Sequence, residues 1–255
     1  MLLLASIGPA CALHRPGDAG DDGIAVTPWA RYESLQLQSS SDVFITSGGA
    51  PGSASTIDLK DDLGVDGASA ASAGVDLTWG DQRVRVGYTS APFDGKATLA
   101  NPVIFNGVTF PAGAQTKSNL DLTFATLGYD SRIWHDDDSA LRIGGEVVAW
   151  SFDMSVQAAG AGLSASRSFT HVLPAVTACY EQQFATDWRF STDLTAGYLG
   201  SDRSVVEIQA GVGTLLWKGL HLDVGYRYQD LTFHETTNQG DLAASGPFVA
   251  AWMVF

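Results

Sequence analysis

Between positions 220 and 228 apolar and polar residues alternate without a break. Leu220, Leu222, Val224, Tyr226 and Tyr228 occupy one parity, and His221, Asp223, Gly225 and Arg227 the other. Successive side chains of a strand point to opposite faces, so this segment reads as a strand between an apolar and a polar environment. The same division runs through Arg83-Val84-Arg85-Val86-Gly87-Tyr88 and through 188–198. Along the chain the pattern predicts about ten strands, near 26–38, 70–79, 82–98, 116–131, 140–157, 164–184, 187–200, 204–217, 219–235 and 243–255. Eight is the alternative count, because the first two segments are weakly patterned.

The connections alternate in length. Gly80-Asp81, 135–139, Ala185-Thr186-Asp187 and Lys218-Gly219 read as tight turns, and 39–69, 99–115, 158–163 and 236–242 as longer ones. Ser201-Asp202-Arg203 is short where a long loop is expected. Asn106-Gly107 between apolar residues is a hairpin signal, so the third strand is expected to project as a hairpin. Ile57 to Gly64 reads as a helical turn or an edge strand.

Composition narrows the setting. The chain has 255 residues, 45% hydrophobic and only 16% charged, with 28 glycines. That is little charge for a water-exposed surface. No apolar run reaches the roughly 18 residues of a membrane helix, so a membrane crossing would use strands. The net charge of −14 argues against nucleic acid as a partner. Asp58, Asp61, Asp62 and Asp66, and Asp136-Asp137-Asp138, read as solvated turns, with a weak divalent-cation site as the alternative.

Cys11 and Cys179 give neither a metal spacing nor a disulfide framework. The start, Met1 to Ala12, resembles the apolar core of a secretory signal with Ala10-Cys11-Ala12 as cleavage site; a lipidated Cys11 is the alternative. The expected organisation is a signal remnant over 1–12 and a single domain over 13–255.

The alternating strands, the alternating loop lengths and a last strand ending Trp252-Met253-Val254-Phe255 resemble the small bacterial outer-membrane β-barrel proteins of eight to ten strands. The resemblance covers roughly 25–255 and is architectural. It implies an all-β, antiparallel, up-and-down transmembrane β-barrel, porin-like, in the outer membrane, with both termini on the periplasmic, short-turn side. It also implies that Phe255 and Met253 form the signal read by the barrel assembly machinery, and that the partners are outer-membrane lipid and lipopolysaccharide. No cofactor or metal is expected. Trp29, Tyr32, Trp79, Tyr88, Trp188, Tyr198, Tyr226, Tyr228 and Trp252 are expected in interfacial girdles. A soluble sandwich is the alternative fold.

Strand parity places Asp76, Arg83, Arg85, Asp121, Arg142, Glu146, Arg189, Asp193, Glu207, His221, Asp223 and Arg227 inside. A barrel of this size is nearly filled by side chains, so this set reads as a charged structural plug or the lining of a narrow channel. Trp252 and Phe248 face inward on the last strand, which reads as a seam rather than a lining of the charged lumen. An outer-membrane hydrolase is the alternative of a different class. His171 and His234 lie near the outer rim, with Ser168 and Thr170 close in sequence, but no catalytic residue is assigned. A loop surface that binds a partner is the third reading.

Overall fold

The computed structural model describes residues 23–48, 52–200 and 202–255. The expected signal segment 1–12, Cys11 with it, and Ser201 lie outside the described residues. The strands, in chain order, are β1 (Ala25–Leu37), β2 (Asp42–Ile45), β3 (Ile57–Asp58), β4 (Val65–Trp79), β5 (Gln82–Thr98), β6 (Val103–Phe105), β7 (Val108–Phe110), β8 (Gln115–His135), β9 (Ser139–Ala158), β10 (Leu163–Ala185), β11 (Trp188–Tyr198), β12 (Arg203–Trp217), β13 (Leu220–His234) and β14 (Asn238–Met253).

Strands β1, β4, β5 and β8 to β14 pair in chain order, each antiparallel to the next, and β14 returns to β1. The seam runs from Trp29 opposite Trp252 to Leu37 opposite Ala244. The sheet therefore closes as the expected antiparallel barrel, with ten strands rather than eight. Closure leaves no unpaired wall edge, which is what a strand-built membrane crossing requires. One rim carries short turns. Lys218 and Gly219 both have positive φ, the two-residue hairpin geometry that matches strand twist. The other rim carries the long connections 38–64 and 99–114.

The wall meets two media. In β9 the inward parity reads Arg142, Gly144, Glu146, then Val148, Trp150, Phe152, Met154; the outward parity reads Leu141, Ile143, Val147, then Ser151, Asp153, Ser155. Parity is constant, yet both faces change character near residue 149. β8 does the same: Leu127, Tyr129 and Ile133 face out toward the short-turn rim, and Lys117, Asn119 and Asp121 face out toward the other. In β10, Val172 and Val176 give way to Ser164, Ser166, Ser168 and Thr170. Near the short turns the barrel is apolar outside and polar inside, as lipid demands. Farther up it is polar outside and apolar inside, as water demands. A crossing takes about 9–11 residues, so strands of 21, 20 and 23 residues (β8, β9, β10) raise a tower above the band on one side.

Trp79, Trp134, Trp188 and Trp217 face out at the short-turn ends of their strands, and Tyr32, Tyr198 and Tyr226 face out higher up. Trp29 and Trp252 depart from the expected girdles: both are buried on the inner wall. The two media give a direct test. Leu127→Arg should destabilise the barrel in lipid bilayers by about 2–4 kcal/mol. Ser155→Arg, outward on the tower, should stay within about 0.5 kcal/mol. Equal costs in a bilayer unfolding titration would contradict the assignment.

The upper interior is a hydrophobic core. Its wall contributes Phe93, Phe124, Trp150, Phe152, Leu173, Val205, Leu231 and Phe233. Loop segments fill the remainder. β2 runs along β14, with Ile45 opposite Asn238, and β3 folds back on β2. Val43, Ile45, Ile57, Leu59 and Leu63 are fully buried. The segment expected as a helical turn or edge strand is both: strand at 57–58, then a turn closed by the Gly64 N–H to the Lys60 carbonyl (3.0 Å).

Asn106 and Gly107 form the expected turn, both at positive φ, between β6 and β7. The hairpin does not project, however. Val103, Phe105 and Phe110 would otherwise expose apolar surface, and they are buried in the core instead. The Asn106 N–H donates to the Ile45 carbonyl (3.0 Å), and its side-chain amide to the Ser166 carbonyl (2.9 Å).

Candidate functional site

Below the hydrophobic core the lumen is filled with charge. The inner wall carries Arg31, Glu33, Asp76, Arg83, Arg85, Asp130, Arg142, Glu146, Glu181, Arg189, Asp193, Glu207, Asp223 and Arg227, all buried. Burying ions without partners would cost several kcal/mol each, and the wall supplies partners from facing strands. Nearest the short turns, Arg83 grips Asp130 with Nε and Nη2 (2.9 and 2.6 Å to Oδ2). Arg142 donates to Asp130 Oδ1 (3.2 Å) and to the Asp81 carbonyl (3.1 Å). Across the lumen, Arg189 bridges Glu181 (3.1 Å) and Asp223 (2.6 Å).

A second layer lies deeper. Arg227 donates to Glu33 (2.7 Å) and Glu207 (2.5 Å). Arg31 contacts Glu33 at 3.1 Å and donates to Gln209 (2.6 Å), whose amide donates to Asp193 (2.8 Å). Arg227 reaches Glu33 across β14 at Gly246, where β1 runs so close that a Cβ would collide with the Ser34 carbonyl. At Gly213 a Cβ would collide with the Asp223 carboxylate itself. Arg85 sits between the layers, 3.8 Å from Asp76 and 3.9 Å from both Asp130 and Asp193.

Aromatic faces complete this lining. Trp252 stacks on His221 (3.7 Å), lies under the Arg189 guanidinium (4.3 Å) and donates its indole N–H to Asp223 (2.9 Å). Phe248 lies 5.6 Å from the Arg31 guanidinium. The last strand thus lines the charged lumen as well as forming the seam, because a ring face attracts a cation through its quadrupole, more weakly than a carboxylate does.

Of the expected inward residues, the structure brings Asp76, Arg83, Arg85, Arg142, Glu146, Arg189, Asp193, Glu207, His221, Asp223 and Arg227 into this lumen. Asp121 is a correction. It faces outward on the tower, exposed, with Leu120 and Leu122 beside it in the core. The equation of polar with inward holds only at lipid depth, and Asp121 stands above it. The same error hid Asp130, which faces the opposite way from Leu127, Tyr129 and Ile133. Arg31, Glu33 and Glu181 were readable too, as the polar parity of their strands. Met253 faces outward at the end of β14, and the exposed Phe255 exchanges backbone hydrogen bonds with Val26 (3.0 and 3.2 Å).

At the upper rim His171 points inward, its Nδ1 3.5 Å from Glu235, which is also paired with Arg203. Its ring packs against Trp150 (4.7 Å) and Phe169 (5.1 Å), and its Nε2 has no partner. Ser168 and Thr170 are on the outward parity of the same strand. His234 faces outward to Asp241 (3.2 Å).

Asp241 stands opposite Asp42, which also stands opposite Asp58. Partial burial first, then the charges of Asp241 and Asp58, push the Asp42 carboxyl above its ordinary range, with His234 opposing. A carboxyl raised in the fold favours the docked loop while protonated, and this support is lost as pH rises through its raised value. Proteolysis within 38–64 should therefore speed up as pH rises from about 4 to about 7. Asp42→Asn should flatten that slope, and an unchanged slope would discard the mechanism.

No known family model and no curated protein matches the sequence. Among solved structures, the chain resembles the outer membrane protease OmpT from Escherichia coli over 92% of its length and 97% of the other chain, at TM-score 0.54 and 7% identity. The translocator domain of autotransporter NalP from Neisseria meningitidis aligns over 94% and 91%, at TM-score 0.46 and 10% identity. Neisserial surface protein A aligns over 92% and 100%, at TM-score 0.37 and 12% identity. At such identities the likeness to OmpT shows the fold alone: that of outer-membrane β-barrel proteins.

Proposed function

We propose that this chain is a sealed outer-membrane barrel with a structural role, its lumen closed by charge below and by an apolar plug above. The short-turn rim faces the periplasm and the tower faces outward. Lipid contacts the apolar band, lipopolysaccharide surrounds the base of the tower, and the assembly machinery engages the outward apolar face of β14. The observation that carries this reading is the change of lumen filling from ion pairs to a hydrophobic core that includes the inward-folded β6–β7 hairpin. A solute path would have to cross both layers. Gly213 leaves room for the Asp223 carboxylate that Arg189 holds from another strand, which suits a cross-strand brace.

The reading assigns no catalysis. A hydrolase built on His171 would need a nucleophile beside Nε2, and Ser168 and Thr170 face the other way. Reconstituted in planar bilayers, the protein should give no stepwise conductance, and Phe105→Asp with Phe110→Asp, which would expel the hairpin but leave the charged layer in place, should give none either. Steady conductance from the unaltered protein would favour the narrow channel instead. Hydrolysis of peptide or lipid A would reopen the enzyme reading.

A further inference from the structure

The chain carries four lysines. Lys60 is paired with Asp66 (2.9 Å), and Lys218 lies over the Trp217 ring (5.2 Å). The other two, Lys96 and Lys117, stand directly opposite one another on β5 and β8, both facing outward on the tower. Neither makes an ion pair among the described residues. Like charges facing across a ladder are destabilising, and in a chain of net charge −14 their juxtaposition is conspicuous. They border an open cleft of about 460 Å³, whose polar lining includes Thr98, Gln115 and Gln157. Gln157 stands opposite Lys117 on the third strand, β9.

We propose that Lys96 and Lys117 bind the anionic group, a phosphate or a carboxylate, of a saccharide lying against the tower wall. Two ammoniums converging on one anion turn a mutual repulsion into shared attraction. The amides and hydroxyl beside them suit sugar hydroxyls. An acyl chain does not fit, because the outward positions around the pair are polar: Asp94, Asn119, Asp121 and Ser155. The site rests on the barrel reading only for where the saccharide comes from. Two sources share the chemistry: the sugar layer of the leaflet that surrounds the tower, and a free anionic oligosaccharide from outside.

The test is calorimetric titration of detergent-purified protein with phosphorylated core oligosaccharide released from lipopolysaccharide. The site requires binding that weakens between 50 and 200 mM salt, as expected for exposed charges with a Debye length of about 10 Å. It should weaken at least about tenfold, near 1.4 kcal/mol, in the Lys96→Gln, Lys117→Gln double variant. Dephosphorylated oligosaccharide should lose as much. Equal binding by the double variant, equal binding of the dephosphorylated sugar, or no binding of the phosphorylated sugar would each overturn the proposal. Repeating the titration in nanodiscs of intact lipopolysaccharide separates the sources. Blocked binding assigns the site to the surrounding leaflet, and undiminished binding to a free ligand. A protein that dissolved as a monomer without detergent would defeat the membrane reading and leave the binding result intact.

Discussion

Arg227→Ala should destabilise the barrel by about 3–5 kcal/mol, the cost of leaving buried charge without its partner. Arg227 is fully buried, and its guanidinium holds Glu33 on β1 and Glu207 on β12 at the same time. Removing it strands two carboxylates beside one another, with Arg31 as the remaining cation on Glu33. The unfolding midpoint by heat-modifiable migration, or a denaturant titration in lipid, measures the loss. Glu207→Gln introduced into Arg227→Ala should recover part of it, because one stranded charge is then gone. Arg132→Ala is the control: its partner Asp81 is half exposed, so the pair should contribute no more than about 1 kcal/mol. An Arg227 variant as stable as the Arg132 variant would mean that the lumen charges do not brace the wall.

The second large effect separates two adjacent residues of β9. Phe152→Ala should cost about 3–5 kcal/mol, as for an aromatic removed from a packed core. Phe152 is fully buried and stacks on Phe169 at 4.8 Å. Asp153→Ala, one residue on and facing water, should stay within about 0.5 kcal/mol. Asp153 also stands opposite Asp121, so its removal relieves a like-charge contact. If both changes were costly, or if the order were reversed, the claim that the tower is packed like a water-soluble protein would fail.

These two predictions fall on either side of the boundary that matters most in this molecule. Strands, turns and antiparallel order were legible in the sequence because each rests on local chemistry. Period-2 alternation gives the strands, Lys218-Gly219 and Asn106-Gly107 give the turns, and tight turns between successive strands give the up-and-down order, although 158–163 and 236–242, expected as longer connections, are short ones at 159–162 and 235–237. Most of the lumen charges were legible for the same reason, since Arg83, Arg189, Asp193, Asp223 and Arg227 lie at lipid depth, where the polar parity is the inner one.

Asp121 was misplaced because alternation distinguishes two faces without saying which medium each one meets. That depends on height along the barrel axis, a property of the assembled wall. Only the tertiary structure decided three further matters. It placed Arg227 within reach of Glu33, 194 positions away in sequence. It turned the β6–β7 hairpin inward, because the tower offered its aromatics a dry interior. And it set Lys96 against Lys117, a repulsion that no local pattern announces. The sequence by itself determined an alternating antiparallel ribbon of eight to ten strands; closure, by giving each face a different solvent at each height, decided what the ribbon encloses and what it presents.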